Sequence, residues 1–305
     1  MARVWAALAI VYVVWGSTYL AIEVAIGSVP PLFMLAARFV VAGAILYALV
    51  GRGVRTTARQ WIAATGVGAL LLGAGTGGVA LAEQRIDTGL VALIVAIVPL
   101  WVAVLDRAVW GKRLSRTGAA GIAIGLVGVA LLVNPGGASG RELVGALMPV
   151  VGSFCWAFGS LWARSAPIPE HPLVAAAMQM IGGGALLFVA SFVVREDVDL
   201  GAVTGASLAG IAYLVVFGSL VAYSAYAWLL QRAPASLVAT YAYVNPVVAV
   251  ALGSLFLGER LTWTMAAGGA AIVAAVVLIV SSQHREARVV ALRRSNEEEA
   301  ATLAA

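Results

Sequence analysis

Ten stretches of predominantly apolar residues follow one another with little chain between them: 4–26, 30–50, 61–81, 88–110, 117–133, 143–163, 172–194, 207–230, 234–256 and 262–281. Each is close to the ~20 residues that cross a hydrocarbon core as a helix. Backbone polar groups in that environment must be satisfied within a helix or a closed barrel. Strand-length alternation does not recur, so the pattern predicts an all-α integral membrane protein with ten transmembrane helices. Composition agrees: 62% of the 305 residues are hydrophobic and 11% charged, against an apolar share of roughly half in soluble domains. The first stretch is long, carries Glu23 near its far end and lacks a convincing small-x-small cleavage site, so it reads as a span and not as a cleaved signal.

The chain also repeats itself. Aligned at an offset of 147, residues 84–133 and 231–280 are identical at 18 of 50 positions, among them Gln84/Gln231, Arg85/Arg232, Pro99/Pro246, Gly111/Gly258 and Leu114/Leu261. Upstream, an offset of 141 pairs Trp15 with Trp156, Pro31 with Pro172, Arg38 with Gln179 and Gly43 with Gly184. The expected organisation is a first repeat over 4–133, a second over 143–281 and a cytoplasmic tail over 282–305. Five spans per repeat is an odd number, so the second copy enters the membrane upside down. Duplicated bundles of this kind are characteristic of transporters, whose substrate site lies where the repeats meet.

Charge orients the bundle. With the ends placed inside, thirteen Arg or Lys residues fall in inner segments and four (Arg85, Arg141, Arg195, Arg260) in outer loops. The positive-inside rule then predicts cytoplasmic termini and a multi-pass protein of the plasma membrane, the inner membrane in a Gram-negative cell. The net charge of +5 is distributed by loop and forms no basic face, so nucleic acid is not an expected partner. The single cysteine, Cys155, precludes an intramolecular disulfide. Glycines at four-residue spacing, such as Gly73/Gly77 and Gly121/Gly125, let helices pack closely, within one chain or between two, and leave monomer and homodimer both open.

No enzyme constellation is present: the two histidines, His171 and His284, lie in loop and tail, and neither a phosphate-binding glycine loop nor HExxH occurs. Neither catalysis nor a metal or other cofactor is expected. A carrier instead needs polar and aromatic side chains facing a cavity. In the first span Tyr12, Trp15, Tyr19 and Glu23 share one helical row, with Ser17 and Thr18 beside it. Its counterpart in the sixth span holds Trp156 and Ser160, and the matched tryptophans are expected to face each other. Ser219, Tyr223 and Tyr226 share a row in the eighth span, Thr76 lies in the third, Trp101 follows Pro99 in the fourth, and Tyr241 and Asn245 share a face in the ninth. Candidate substrate-binding residues are therefore Trp15, Ser17, Thr18, Tyr19, Thr76, Trp101, Trp156, Ser160, Tyr223, Tyr226, Tyr241 and Asn245. The expected cavity is lined by spans one, three, four, six, eight and nine. Arg38, the one basic residue well inside a span, reads as an ion pair with Glu23 that gates or supports the outer side, ahead of direct contact with a substrate carboxylate. Glu23 is also where protons would couple to transport.

Trp15-Gly-Ser-Thr-Tyr19, Pro31 with Arg38-Phe39, Ala92 through Pro99, and Gly258-Glu-Arg-Leu-Thr262 together resemble the EamA branch of the drug/metabolite transporter superfamily. The resemblance spans nearly the whole chain except the tail. It implies an inner-membrane carrier of two inverted five-helix repeats around a central cavity, exporting amino acids, other metabolites or drugs. The first repeat departs from the family pattern in carrying Lys112 where members often have an acid. The resulting expectation is a secondary transporter exporting amino-acid-like or amphipathic solutes by alternating access, with membrane lipid and a small-molecule substrate as partners. An uptake permease or exchanger of similar solutes, and a non-transporting scaffold or receptor, are the other readings.

Overall fold

The structure is a computed structural model, and it describes residues 2–111, 115–133, 139–233, 235–238 and 240–281. Among these residues the chain is helical and strand-free, and nine helices are long and apolar enough to cross a membrane. The helices are α1 (Ala2–Ile26), α2 (Pro31–Val50), α3 (Ala58–Glu83), α4 (Thr88–Val109), α5 (Arg116–Val133), α6 (Gly140–Trp162), α7 (Pro172–Val193), α8 (Gly205–Leu230), α9 (Tyr241–Leu252, continuing as a π-helix through Gly253–Leu257) and α10 (Trp263–Ser281). Lys112, Arg113, Leu114 and the tail from 282 onward lie outside the described residues.

The helices start where the sequence supplies N-terminal partners. Thr57 and Gln60 form a reciprocal cap on α3, and Ser139 and Glu142 do the same on α6. Thr204 caps α8 by accepting from the Ser207 N–H, and His171 Nδ1 accepts from the Val174 N–H at the start of α7. Four boundaries differ in kind from the sequence reading. Span four is broken at Ala96–Ile97, two residues before Pro99, because proline cannot donate to the carbonyl four residues back. Span nine begins at Tyr241 and not near 234, after a separate short helix, Ala235–Val238. Within α3 and α8 the stretches Ala69–Thr76 and Leu214–Tyr223 are π-helical, which widens the helix and turns the residues that follow.

Hydrophobic burial does little to hold helices together in lipid, so close packing has to. Large side chains accordingly point outward: Trp263 is 86% exposed and Phe192 85%. Inside, glycines bring backbones into contact. A Cβ on Gly43 of α2 would lie 2.9 Å from the Ala177 carbonyl and from the Ile181 amide of α7. A Cβ on Gly184 of α7 would lie 3.0 Å from the Val40 amide and 3.2 Å from the Ala36 carbonyl of α2. The sequence pairs Gly43 with Gly184, Ala36 with Ala177 and Val40 with Ile181, so the contact is reciprocal. A second reciprocal contact joins α5 and α10, where Cβ atoms on Gly121 and Gly128 would each come 2.9 Å from the carbonyls of Ala275 and Gly268 respectively. These glycines therefore serve packing within the chain.

Replacing Gly43 with leucine should push α2 off α7 and lower the thermal midpoint of the detergent-purified protein. The expected loss is ~1–3 kcal/mol, the range for overpacking a tight contact. Gly140→Ala, where an added Cβ meets nothing within 4 Å, is the tolerated control. Equal midpoints for the two variants would show that the glycine contact is not what holds these helices.

Candidate functional site

A cavity of about 100 Å³ lies at the centre of the bundle. At roughly 30 Å³ of liquid per water, that is room for a few waters. Its wall is built by seven helices. Trp15, Thr18, Tyr19 and Ile22 come from α1, Arg38 and Phe39 from α2, and Leu72, Gly75, Thr76 and Val79 from α3. The break in α4 contributes Val95 and Val98, α6 contributes Gly152, Ser153 and Trp156, α8 contributes Gly218 and Tyr223, and α9 contributes Tyr241 and Asn245. Helix α2 was not among the expected wall helices; it is brought there by the glycine contacts that draw α2 and α7 together. Thr76 and Tyr223 are the last residues of the two π-helical stretches, so the widened turns deliver them to the cavity.

The aromatic residues form one connected cluster. Trp15 meets Trp156 edge-to-face at 5.7 Å, as the matched rows led one to expect, and meets Tyr241 edge-to-face at 5.4 Å and Tyr226 at 4.8 Å. Tyr226 lies a further 5.9 Å from Tyr241. Such ring pairs each add about 0.5–1.5 kcal/mol beyond the area they bury. Most polar ends are held by protein. Trp15 Nε1 donates to the Gly218 carbonyl (3.3 Å), Thr18 to the Trp15 carbonyl (2.7 Å) and the Tyr223 hydroxyl to Gln179 Oε1 (2.6 Å). With its nitrogen facing them, the Asn245 amide donates to the carbonyls of Tyr12 (3.1 Å) and Tyr241 (3.2 Å). Trp156 and Ser160 turn their polar atoms towards the Tyr226 hydroxyl, and Trp156 also towards that of Tyr241.

Arg38 departs from its expected role. Its Nε donates to Ser219 Oγ at 2.9 Å, its guanidinium lies 4.7 Å from the Phe39 ring centre, and its buried Nη1 has no hydrogen-bond partner among the described residues. It does not pair with Glu23, which lies apart from the central wall and lines the vestibules at the Gly27 and Glu83 end of the bundle. The physical reason is position: α8 presents Ser219 closer to Arg38 than α1 presents its acid. Gln179, the sequence counterpart of Arg38, bonds to the same helix one turn on, at Tyr223.

Several other expected wall residues sit nearby but outside the central cavity. Ser17 bonds to the Val14 carbonyl (2.8 Å) and the Tyr213 hydroxyl (2.6 Å), and so fastens α1 to α8. Trp101 donates to Ser153 at 3.1 Å and packs against Phe154, so it positions the wall from behind. Ser160 and Tyr226 line a neighbouring chamber of about 80 Å³ with Arg164, on the far side of Trp156 and Tyr241.

Vestibules at the opposite end are far larger, about 550 and 340 Å³, and they gather Glu23, Glu83, Arg85, Asp87, Arg141 and Glu259. Two loop acids there have structural roles the sequence reading missed. Glu259 accepts from the Thr88 N–H and hydroxyl, both at 2.7 Å, and from the Gly89 N–H at 3.0 Å. Glu196 likewise accepts from the Leu32 (3.0 Å) and Phe33 (2.8 Å) N–H groups. Each carboxylate thus ties a distant loop to the unsatisfied donors at a helix start. Burial, and next the charge of Glu259, push the Asp87 carboxyl above its usual range.

A family model described as the EamA-like transporter family matches residues 3–134 and 143–281. The chain belongs to that family. It is 38% identical over 260 residues, 84% of this chain and 83% of the relative, to a protein of Escherichia coli (strain K12) named uncharacterized inner membrane transporter YedA. It is 27% identical to a Salmonella typhimurium protein named probable amino-acid metabolite efflux pump, covering 85% of this chain and 88% of the relative. A solved crystal structure superposes with a TM-score of 0.65 at 21% identity over 93% of this chain and 99% of that one, a likeness of fold. Together with the apolar helices, these findings make the protein a multi-pass membrane transporter of the drug/metabolite type.

Glu259→Ala should strip the start of α4 of its acceptor and lower the thermal midpoint in detergent by the equivalent of ~1–3 kcal/mol, the cost of orphaned donors. A midpoint within error of the wild type would return Glu259 to the solvated surface.

Proposed function

We propose that the protein is a secondary transporter that exports small amphipathic solutes bearing a carboxylate, of the size and character of an amino acid, by alternating access around the central cavity. One observation carries the reading. Among the cavity-lining residues Arg38 alone is charged, and its buried Nη1 has no hydrogen-bond partner among the described residues. An uncompensated buried cation calls for an anion, and a planar carboxylate matches a guanidinium. The rings of Trp15, Trp156, Tyr223 and Tyr241 offer the solute's apolar body a surface without adding net charge.

Export is favoured by the naming of the Salmonella relative as an efflux pump. Two inverted repeats are supported by the odd span number per copy, by the reciprocal glycine contacts and by the family model matching each half. In this reading the cavity opens alternately towards the large vestibules and the small chamber beside Arg164. Thirteen basic residues against four support cytoplasmic termini, with the vestibules outside. An aromatic, polar centre counts against a scaffold with a vestigial aliphatic core.

The test is counterflow of radiolabelled amino acids and related carboxylates in reconstituted vesicles. Arg38→Gln should reduce the initial rate for carboxylate solutes by ~10–100-fold, which corresponds to the ~1.5–3 kcal/mol of a hydrogen bond to a charged group. Trp156→Ala and Tyr241→Ala should impair flux more than they impair folded yield. Flux of decarboxylated analogues matching that of the parent solutes, or an Arg38→Gln rate equal to wild type, would overturn the carboxylate reading.

A further inference from the structure

We propose that Glu83 is a proton-exchange site entered from the large vestibules, and that its loading and release are coupled to the transport cycle; the coupling rests on the transporter reading above. Glu83 is the last residue of α3 and only 5% exposed, yet it lines both vestibules. Among the described residues neither of its carboxylate oxygens has a hydrogen-bond partner. A carboxylate removed from water without a partner costs several kcal/mol, whereas the neutral acid costs much less.

The surroundings do not neutralise it. From α1 comes Glu23, one of whose oxygens is also unpartnered, and from the α9–α10 loop comes Glu259, whose two oxygens are committed to the start of α4. Both act on Glu83 as like charges. Asp87 adds another acid on the vestibule wall. The two bases of the vestibule form their hydrogen bonds elsewhere and not with Glu83: Arg85 donates to the Leu81 carbonyl at 2.5 Å, and Arg141 donates to the Gln84 carbonyl at 2.9 Å. The acid therefore takes its proton from vestibule water and keeps it while α3 shields it, and in the proposed cycle it gives the proton up to water of the opposite compartment, admitted through the central cavity, when the helix shifts and wets it. The step is a simple ionisation: the carboxyl O–H breaks, the electron pair stays on oxygen, and the proton leaves to water.

The link to the cavity is α3 itself. Thr76, Val79 and Glu83 fall at i, i+3 and i+7, one face of the helix, and the first two line the central cavity. Seven residues at ~1.5 Å each separate Thr76 from Glu83 by about 10 Å. A solute that displaces the Thr76 end moves the same rigid element that shields the acid.

The experiment uses the full-length protein in vesicles, with Glu83→Gln as the isosteric neutral variant. Wild-type protein should concentrate solute against its gradient when a pH gradient is imposed and should release protons on solute addition. Glu83→Gln should lose both while solute counterflow at symmetric pH continues, which also shows that it folds. Infrared difference spectra should contain a protonated-carboxyl band at neutral pH that is missing in Glu83→Gln. That band reads the site whether or not a transported solute has been found, so absent counterflow in the wild type would overturn the transport reading alone. Glu83→Gln driving uphill flux like wild type, loss of coupling in Glu23→Gln only, drive by a sodium gradient at constant pH, or an unchanged infrared band would each overturn the proposal.

Discussion

Close backbone contact between helices is what the rest of this structure depends on. Lipid tails are as apolar as the side chains they touch, so burying leucine against leucine gives little net drive. The protein compensates by removing side chains where helices cross. Gly43 and Gly184 let α2 and α7 meet at backbone distance, and Gly121, Gly128 and Gly268 do the same for α5 and α10. These contacts leave the remaining helices to splay around a hollow, and they bring Arg38 to its wall.

A hollow inside a membrane must then account for every polar atom that faces it. Most are satisfied within the bundle: Tyr223 by Gln179, Trp101 by Ser153, Asn245 by two carbonyls. Among the described residues the charged exceptions are Arg38, Glu23 and Glu83. Buried groups without partners are costly, and a fold retains them where something else supplies the missing bond for part of the time. We propose that a solute does so at the centre and a proton at the vestibule. Separating the two sites along α3 lets one rigid element report each to the other.

Much of this was legible beforehand. Ten apolar stretches and their helical nature follow from length and the demands of hydrocarbon, and nine of the helices lie within a few residues of the expected limits. The Trp15–Trp156 contact follows the pairing of the two tryptophans in the sequence duplication. The ninth span was not. Its apolar run continues upstream of Tyr241, and hydropathy alone does not separate the short Ala235–Val238 helix from the span that follows. Ser17 lies beside the first-span row and Trp101 one turn from Val98, yet position along one helix does not say which neighbour a side chain meets. The capping roles of Glu196 and Glu259 were equally hidden, since their partners lie more than 160 residues away.

Sequence by itself determined the solvent this chain requires, the number and length of its helices, its internal duplication and the types of side chain available to a cavity, because those depend on local composition and period. Tertiary structure alone decided which of these side chains meet. The partner of Arg38 proved to be Ser219 on α8 and not Glu23, and among the described residues the acid with both oxygens buried and unpartnered proved to be Glu83, a residue no helical row had singled out. Which polar groups pair and which are left open is a property of three-dimensional neighbours, and a charge in a membrane takes its function from what it lacks as much as from what it is.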